Sequence, residues 1–549
     1  MDLRVALREK FGFDSFQPGQ EEVVLRVLSG QDTLAILATG AGKSLTYQLS
    51  ALLLEGTTIV VSPLIALMKD QLDMLRDRGI EDAVAVNSTL SEDQELATRA
   101  RIAAGGVKLV YTTPEKLEDE GFQAILRTLK VPLFVVDEAH CISQWGHDFR
   151  PAYLALGHAI ERLGRPTVLA VTATATPAVR EDILHQLGIE HVKPIVKGFD
   201  RPNLVYEARR ADKDADKLKS LAALFTGPEA LSGTGIIYTA TIKNALEVQA
   251  YLNDKLHVPA AVYHSKLQKH DRTTVHNLFM DEAIRAVVAT NAFGLGIDKP
   301  NIRFVVHYDL PGSVEAYTQE AGRAGRDGDP SRCILIYRMS DTRVQNYFLT
   351  GKYPDVEEVQ RVFGTIEVFG AQERVTVTDL RKILQLPLTK LKVILALLKK
   401  SGYIEAAGKS AYTLTEAVRK HRDLVLNLAS YDTKKSYDQS KLAMMLQYAE
   451  SPSCRRRFIL NYFGEDFAEA NCGACDSCLR AAAKGPIPLA FDRGEDNFRI
   501  ADVVEHPKFG QGTVERVEKD LVTVLFPSVG YKTLLASAVH REGVATKIA

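Results

Sequence analysis

The chain has no apolar run of the roughly 18–20 residues that a membrane-spanning helix needs, a single tryptophan, only six cysteines, and almost no net charge. Each shortage excludes something. Without the run, nothing reads as a bilayer span, and the polar amphipathic stretch from Met1 does not read as a signal peptide. Six cysteines in 549 residues are too few for a disulfide scaffold, and four of them (Cys454, Cys472, Cys475 and Cys478) crowd together. That pattern fits a cytoplasmic protein with one metal site, leaving Cys141 and Cys333 isolated, each ending or following an apolar stretch. Lys and Arg total 68 against 69 for Asp and Glu, so the sum of −1 gives by itself no sign of a nucleic-acid partner. A hydrophobic share of 46% with 25% charged residues excludes a disordered or collagen-like chain. At about 150 residues per domain, the length suggests three or four domains.

What is present is a regular alternation. Short β-branched runs (Thr58–Val61, Leu133–Val136, Val168–Val171, Gly235–Tyr238, Ala286–Ala289, Phe304–Val306, Cys333–Ile336) alternate with helical patterns over the first 340 residues or so. Continuous apolar runs of this length predict strands buried on both faces of parallel sheets, hence an α/β class with two lobes joined near Gly198–Pro202. After about Val356 the texture changes. Leu391, Ile394, Leu395 and Leu398 mark one face of a helix that we expect Thr389 to cap, after a short helix Thr378–Leu384. Two strands follow around Gly408, which completes a winged-helix pattern. Between Gly370 and Lys420 there are ten Lys and Arg against four Asp and Glu, a local net of +6 inside a neutral total. A basic solvated helix face is the plainer reading of that charge. The stretch Ala481–Pro488 reads as a linker, and beyond Phe498 the glycine-punctuated β pattern predicts a small barrel.

Three motifs carry chemistry. Thr39-Gly40-Ala41-Gly42-Lys43-Ser44 follows one apolar run and opens a helix pattern. Such glycines turn backbone N–H groups toward phosphates, with Lys43 reaching the β/γ-phosphates and Ser44 ligating Mg²⁺. Leu37 occupies the place where the strict pattern has glycine. Asp137-Glu138-Ala139-His140 ends the Leu133 run, 94 residues beyond Lys43. Asp137 there is placed to hold Mg²⁺, and Glu138 to orient the attacking water. The plain alternative is an acidic helix cap. Gln319-Glu320-Ala321-Gly322-Arg323-Ala324-Gly325-Arg326 sets two arginines three apart, expected on one helix face, where Arg323 or Arg326 would neutralise charge on the transferring phosphoryl group. Because that segment lies in the second lobe, nucleotide would sit between lobes. Cys454 is followed after 17 residues by Cys472-Gly-Ala-Cys475-Asp-Ser-Cys478, a four-thiolate set suited to structural Zn²⁺.

Taken together these residues resemble superfamily 2 helicases, and specifically the RecQ family of DNA helicases. The resemblance runs motif by motif through residues 5–345 and again in the zinc region. It implies that Phe13 stacks on the adenine and Gln20 reads its edge, with Gln17 standing where the family has arginine. Ser62–Met68, Tyr111–Glu115, Thr172-Ala-Thr174, Tyr263-His-Ser265 and Ala289–Asp298 (including Thr290) resemble further family motifs, Thr172 and Thr174 coupling hydrolysis to DNA contact. Ser143-Gln-Trp145-Gly-His147-Asp-Phe149-Arg150-Pro resembles the family's aromatic-rich loop. Trp145 and Phe149 offer faces on which unpaired bases stack at about 1–3 kcal/mol each. A tryptophan in a hydrophobic core is the ordinary alternative. Cys454-Arg455-Arg456-Arg457 resembles the family's zinc element, whose arginines contact phosphate unless carboxylates such as Glu465 and Asp466 pair with them.

The resemblance implies an ATP-dependent, 3′→5′ DNA helicase acting on single-stranded, forked and duplex DNA in repair or recombination, with ATP, Mg²⁺ and Zn²⁺. The competing readings are a DNA- or RNA-stimulated translocase that never separates strands, and a DNA-binding scaffold. The expected order is a first ATP-binding lobe (1–199), a second lobe (200–345), a winged-helix-like domain (346–430), a helical zinc element (431–480), a linker (481–496) and a barrel (497–549). The winged-helix block precedes the zinc cysteines, whereas in the familiar order it follows them, so Lys409 and Tyr412 become the candidates to touch a DNA fork. The last segment resembles the Tudor-like end of UvrD-type helicases, which implies RNA polymerase or another protein as a partner; an ordinary docking or capping module is the plainer reading. A monomer is expected.

Overall fold

The structure, a computed structural model, describes residues 2–143, 145–146, 149–228, 230–294, 299–370, 374–407, 411–416, 418, 429–465, 467, 469, 471–483, 498, 502–507, 509–518, 521–526, 530–535 and 540–541. His147, Lys409, the glycine turn at Gly408, residues 295–298 and the linker from Lys484 to Asn497 lie outside them.

The apolar runs become strands because both of their faces are covered. The first sheet comprises β1 (Thr33–Leu37), β2 (Thr58–Val61), β3 (Ala83–Val86), β4 (Leu109–Thr112), β5 (Leu133–Val136), β6 (Thr167–Thr172) and β7 (Ile195–Lys197). It is parallel throughout, in the order β3-β4-β2-β5-β6-β1-β7. Every residue of β1, β2, β4 and β5 is buried. At about 1.5–3 kcal/mol for each large apolar side chain taken out of water, such strands drive the lobe's assembly. The second sheet, also parallel, comprises β8 (Leu204–Arg210), β9 (Thr234–Tyr238), β10 (Ala260–Tyr263), β11 (Ala286–Ala289), β12 (Ile302–His307) and β13 (Ser331–Tyr337). Its order is β10-β11-β9-β12-β13-β8. The chain passes from one sheet to the other between Lys197 and Leu204, at the expected join.

The helices Val356–Gly370, Val377–Leu384 and Leu388–Lys400 surround a three-stranded sheet of β14 (Val375–Thr376), β15 (Ile404–Ala406) and β16 (Ala411–Leu414), the winged-helix arrangement. Its caps differ from the expected ones. Thr376 caps the shorter helix, its hydroxyl accepting from Asp379 N–H while the Asp379 carboxylate returns to Thr376. The longer helix starts at Leu388 with Pro387 at its cap, so Thr389 already lies inside it. Pro387, at φ −56° and ψ 136°, leads into the helix with no side-chain cap, so the first turn begins one residue before Thr389.

A long helix, Ala429–Glu450, packs against the helix Asp341–Lys352 that closes the second lobe. The two helices touch although the winged-helix block separates them in sequence. Helices Arg455–Tyr462 and Asp476–Ala483 then frame the cysteines. The chain ends in an antiparallel sheet of β17 (Val503–His506), β18 (Gly510–Glu518), β19 (Leu521–Phe526), β20 (Gly530–Leu535) and β21 (His540–Arg541), in the order β20-β19-β18-β17-β21. Among the described residues, no helix is long and apolar enough to cross a membrane.

Candidate functional site

The phosphate loop leaves the carboxyl end of β1, the edge at which parallel sheets bind ligands. Gly40 and Gly42 have φ of 86° and 64°, left-handed values that favour glycine. Gly42 precedes the helix Lys43–Leu53 and no side chain caps it, so the orphan N–H groups of the first turn are open to an anion. Gln20 lies buried beneath the loop. Its amide N–H donates to the Ala41 and Gly42 carbonyls at 2.9 and 3.0 Å, and its Oε1 accepts from Gln17 N–H at 2.8 Å. Here Gln20 braces the phosphate loop and does not present a free edge. The Phe13 ring is 46% exposed, with the Arg78 guanidinium 6.0 Å from its centre, and offers a face for a planar base.

Asp137 follows β5, its N–H bonded to the Val61 carbonyl at 2.8 Å. Burial, helped by the neighbouring Glu138 charge, pushes its carboxyl up to about 7, against the pull of Lys43 and a hydrogen bond from Ser62. Glu138 adopts a left-handed backbone, φ 48° and ψ 47°, which is strained for a non-glycine residue and turns its side chain toward His140 Nδ1, 3.3 Å away. The same His140 nitrogen lies 2.8 Å from the Thr172 hydroxyl. Thr172 and Thr174 are both buried, so neither is a surface contact for DNA. They stand behind His140, and Thr174 N–H donates to the Thr172 hydroxyl at 3.3 Å.

The second lobe completes the cleft. The helix Val314–Ala321 carries Gln319 and Glu320, but it stops before the arginines. Arg323 and Arg326 therefore do not share a helix face. Gly325, at φ 55°, has Asn203 so close that a Cβ would come within 2.5 Å of its Nδ2, and the turn through Gly322 and Gly325 sends the two arginines to different places. Arg323 is buried in the second lobe, with its Nη2 3.0 Å from where a Gly294 Cβ would stand. Arg326 lies over the phosphate loop, its Cγ 3.3 Å from where a Gly40 Cβ would stand. Arg201, which the motifs did not signal, clasps the two lobes. Its guanidinium donates to Thr39 O at 3.2 Å in the first lobe, and to Ala324 O and Gly325 O at 3.0 and 2.7 Å in the second. A lone arginine in a linker carries no periodic or spacing signal. Between the lobes, separate from the phosphate loop, lies a second cleft of about 750 Å³ whose lining includes Glu138, His140, Arg150, Gln319, Arg323 and Lys441 and none of residues 39–44.

The aromatic-rich loop is built onto the long helix. The Trp145 ring meets Tyr437 edge-on at 5.1 Å between centres, and Lys434 Nζ sits 4.2 Å from the Phe149 ring centre. Arg150 donates to Pro63 O at 2.8 Å, tying the loop to the Ser62–Met68 segment. Thr290, whose N–H reaches Tyr263 O at 3.3 Å, lies at the end of β11 in the other lobe.

The four cysteine sulfurs lie within 4.8 Å of one another. Tetrahedral Zn–S bonds of about 2.3 Å require S···S separations near 3.8 Å, and backbone N–H groups of Arg455, Cys472 and Cys475 point at these sulfurs at 3.3–3.4 Å. The set fits a structural zinc. Arg455 is not a phosphate contact: it is buried and forked onto Asp476 at 2.9 and 3.2 Å. Arg456 pairs with Asp200 at 3.3 Å and donates to Arg201 O at 2.8 Å. Neither uses Glu465, whose carboxylate accepts from Phe199 N–H at 2.8 Å. Burial of these cationic groups demanded partners, and the interlobe linker and the last helix supply them.

Family comparisons place this geometry among known proteins. The sequence matches the DEAD/DEAH box helicase family over residues 17–183, the helicase conserved C-terminal domain over 216–328, and the RecQ zinc-binding family over 415–479. It is 35% identical to the probable ATP-dependent DNA helicase RecS of Bacillus subtilis over 478 residues, covering 87% of this chain and 92% of that protein. It is 36% identical to the ATP-dependent DNA helicase RecQ of the same organism, covering 87% of this chain and 67% of the relative. With the Haemophilus influenzae RecQ the identity is 35%, over 86% of this chain and 63% of that protein. Among solved structures, the DNA-bound DUF1998 helicase MrfA aligns with TM-score 0.50 at 18% identity, over 76% of this chain and 59% of that one, a likeness of fold.

Proposed function

Because the chain belongs to the RecQ family of ATP-dependent DNA helicases, we propose that it moves 3′→5′ along single-stranded DNA and separates forked or duplex DNA in repair or recombination. The observation that carries this reading is the meeting of Arg326 and Arg201 with the phosphate loop at Gly40 and Thr39, which makes one catalytic cleft out of two lobes.

In this reading the loop from Thr39 to Ser44 cradles the ATP phosphates, Phe13 stacks on the adenine, and Gln20 braces the loop or turns to the base when nucleotide enters. Ser44 and Asp137 would hold Mg²⁺ through oxygen ligands, and the ion would neutralise phosphate charge. Glu138 orients the water. Arg326 stabilises charge on the transferring phosphoryl group, while Arg323 fixes the turn that delivers it and Gln319 lines the approach. DNA phosphates make the binding salt-dependent, with the Trp145 loop, Phe149, Arg150 and Thr290 along the strand's path and His147 and Lys409 as further contacts. Thr172 and Thr174 act through His140. We assign residues 1–199 and 200–345 to the motor lobes, 346–430 to the winged helix, 431–480 to the zinc element and 497–549 to the C-terminal sheet. The protein is a cytoplasmic monomer whose C-terminal sheet engages RNA polymerase. Loss of polymerase capture on deleting 497–549 supports that partner, and unchanged capture removes it.

The enzymatic reading is tested by steady-state ATP hydrolysis with and without single-stranded DNA. Wild type should be stimulated by DNA, and Glu138→Gln should fall by several orders of magnitude while still binding nucleotide. Undiminished hydrolysis in Glu138→Gln would remove Glu138 from the mechanism.

A further inference from the structure

The long helix Ala429–Glu450 reaches both lobes with one side chain. Lys441 is buried, with 3% of its side chain exposed. Its ammonium donates to the Trp145 carbonyl at 2.7 Å in the first lobe's aromatic loop. It also pairs with Glu315 at 3.1 Å, itself 3% exposed, in the first turn of the second-lobe helix Val314–Ala321. Tyr437, one helical turn earlier on the same face, meets the Trp145 ring at 5.1 Å and lies 4.6 Å from the Lys441 ammonium. The loop is thus gripped by ring and by carbonyl from a single patch of the long helix.

The grip on the other side is equally specific. The helix Val314–Ala321 carries Gln319 and leads directly into the turn of Arg323 and Arg326. Besides Lys441–Glu315, the long helix holds it through the Tyr448 hydroxyl, 3.1 Å from that of Tyr317. Tyr317 packs on His307, which bonds Glu320 at 2.8 Å. Burying an ammonium is costly unless its partners are well placed. Burial works against the Lys441 charge, but Glu315, Tyr437 and Asp438 overcome it and hold the group above the ordinary lysine range. The buried ammonium therefore keeps its charge beside Glu315.

We propose that Lys441 is a positioning residue that couples the aromatic-rich loop to the arginine-bearing turn, so that a strand on Trp145 is reported to Arg326 through the zinc element's helix. The proposal rests on the helicase reading above. When a strand displaces the loop, the Trp145 carbonyl moves, and the ammonium it binds is fixed to Glu315. The arginine turn is then drawn with the helix that precedes it. The coupling belongs to two lobes and a third element, which is why neither lobe's motifs contain it.

The test separates hydrolysis without DNA, hydrolysis at saturating oligo(dT), and oligo(dT) affinity by anisotropy, in wild type, Lys441→Met, Lys441→Arg and the double variant Lys441→Met/Glu315→Leu. Removing one partner of a buried pair destabilises, whereas replacing both with apolar groups is often near neutral, so the double variant keeps the test alive if Lys441→Met fails to fold. We expect DNA-free hydrolysis and oligo(dT) affinity within about twofold of wild type, and stimulation by DNA reduced at least tenfold in the methionine variants, a coupling of ordinary size. Lys441→Arg, which keeps the charge, should recover part of the stimulation. Full stimulation in the folded double variant overturns the relay while leaving the helicase reading intact. A parallel loss of affinity and stimulation overturns it too, because Lys441 would then be a DNA contact. Wild-type hydrolysis indifferent to DNA overturns the helicase reading and the relay with it.

Discussion

Gly40 has a left-handed backbone at φ 86° and two arginines within contact of its missing side chain, one from the interlobe linker and one from the second lobe. A Cβ there would strain the left-handed backbone and crowd both arginines, each 3.3 Å away. Arg326→Ala should therefore leave nucleotide affinity nearly unchanged and lower the hydrolysis rate by about 10³-fold or more, the worth of an arginine that meets the transferring phosphoryl group. Titrating a fluorescent nucleotide alongside steady-state hydrolysis checks this, and a loss confined to affinity would contradict it. The loop, the Asp137-Glu138 pair and the arginine segment were legible in sequence because their chemistry demands fixed residue types at short spacing. Arg201 and Lys441 were not. Each works through a backbone carbonyl or a buried carboxylate contributed by another part of the fold, more than a hundred residues away, and no local pattern encodes such a partner.

At the scale of elements, the apolar runs located their strands well, since a strand buried on both faces must be apolar throughout. Helix ends were less legible. The Arg323–Arg326 spacing suggested a shared face, yet the helix stops at Ala321, because glycines at 322 and 325 permit the tight turn that parts the arginines. The three arginines after Cys454 looked like a phosphate-binding run, but Arg455 and Arg456 are anchored to Asp476 and Asp200. The cysteine spacing was decisive for the zinc element, whose helix Arg455–Tyr462 also buries Phe458, Ile459, Leu460 and Tyr462. Cys475→Ser should cost stoichiometric zinc and lower the melting temperature of the element. Metal analysis of purified wild type should find one zinc per chain, and its absence there would remove the site.

Across the whole molecule, a net charge of −1 was a poor guide to a protein of a DNA helicase family, since it averages a basic winged helix with acidic surroundings. The long helix Ala429–Glu450 turns out to be central. It packs on the helix that closes the second lobe, holds the Trp145 loop, and supports the C-terminal sheet, whose Tyr531 stacks on Tyr437 at 5.8 Å and approaches Tyr462 at 6.0 Å. That sheet is therefore seated beside the proposed DNA-sensing loop. In the proposed mechanism the two lobes convert ATP hydrolysis into strand separation. Its most direct test is gel-resolved unwinding of a forked duplex bearing a 3′ single-stranded arm, with ATP or a non-hydrolysable analogue. Wild type with ATP should release displaced single strand, and neither the analogue nor Glu138→Gln should release any. DNA-stimulated ATP hydrolysis by wild type with no displaced strand would contradict it and identify a translocase.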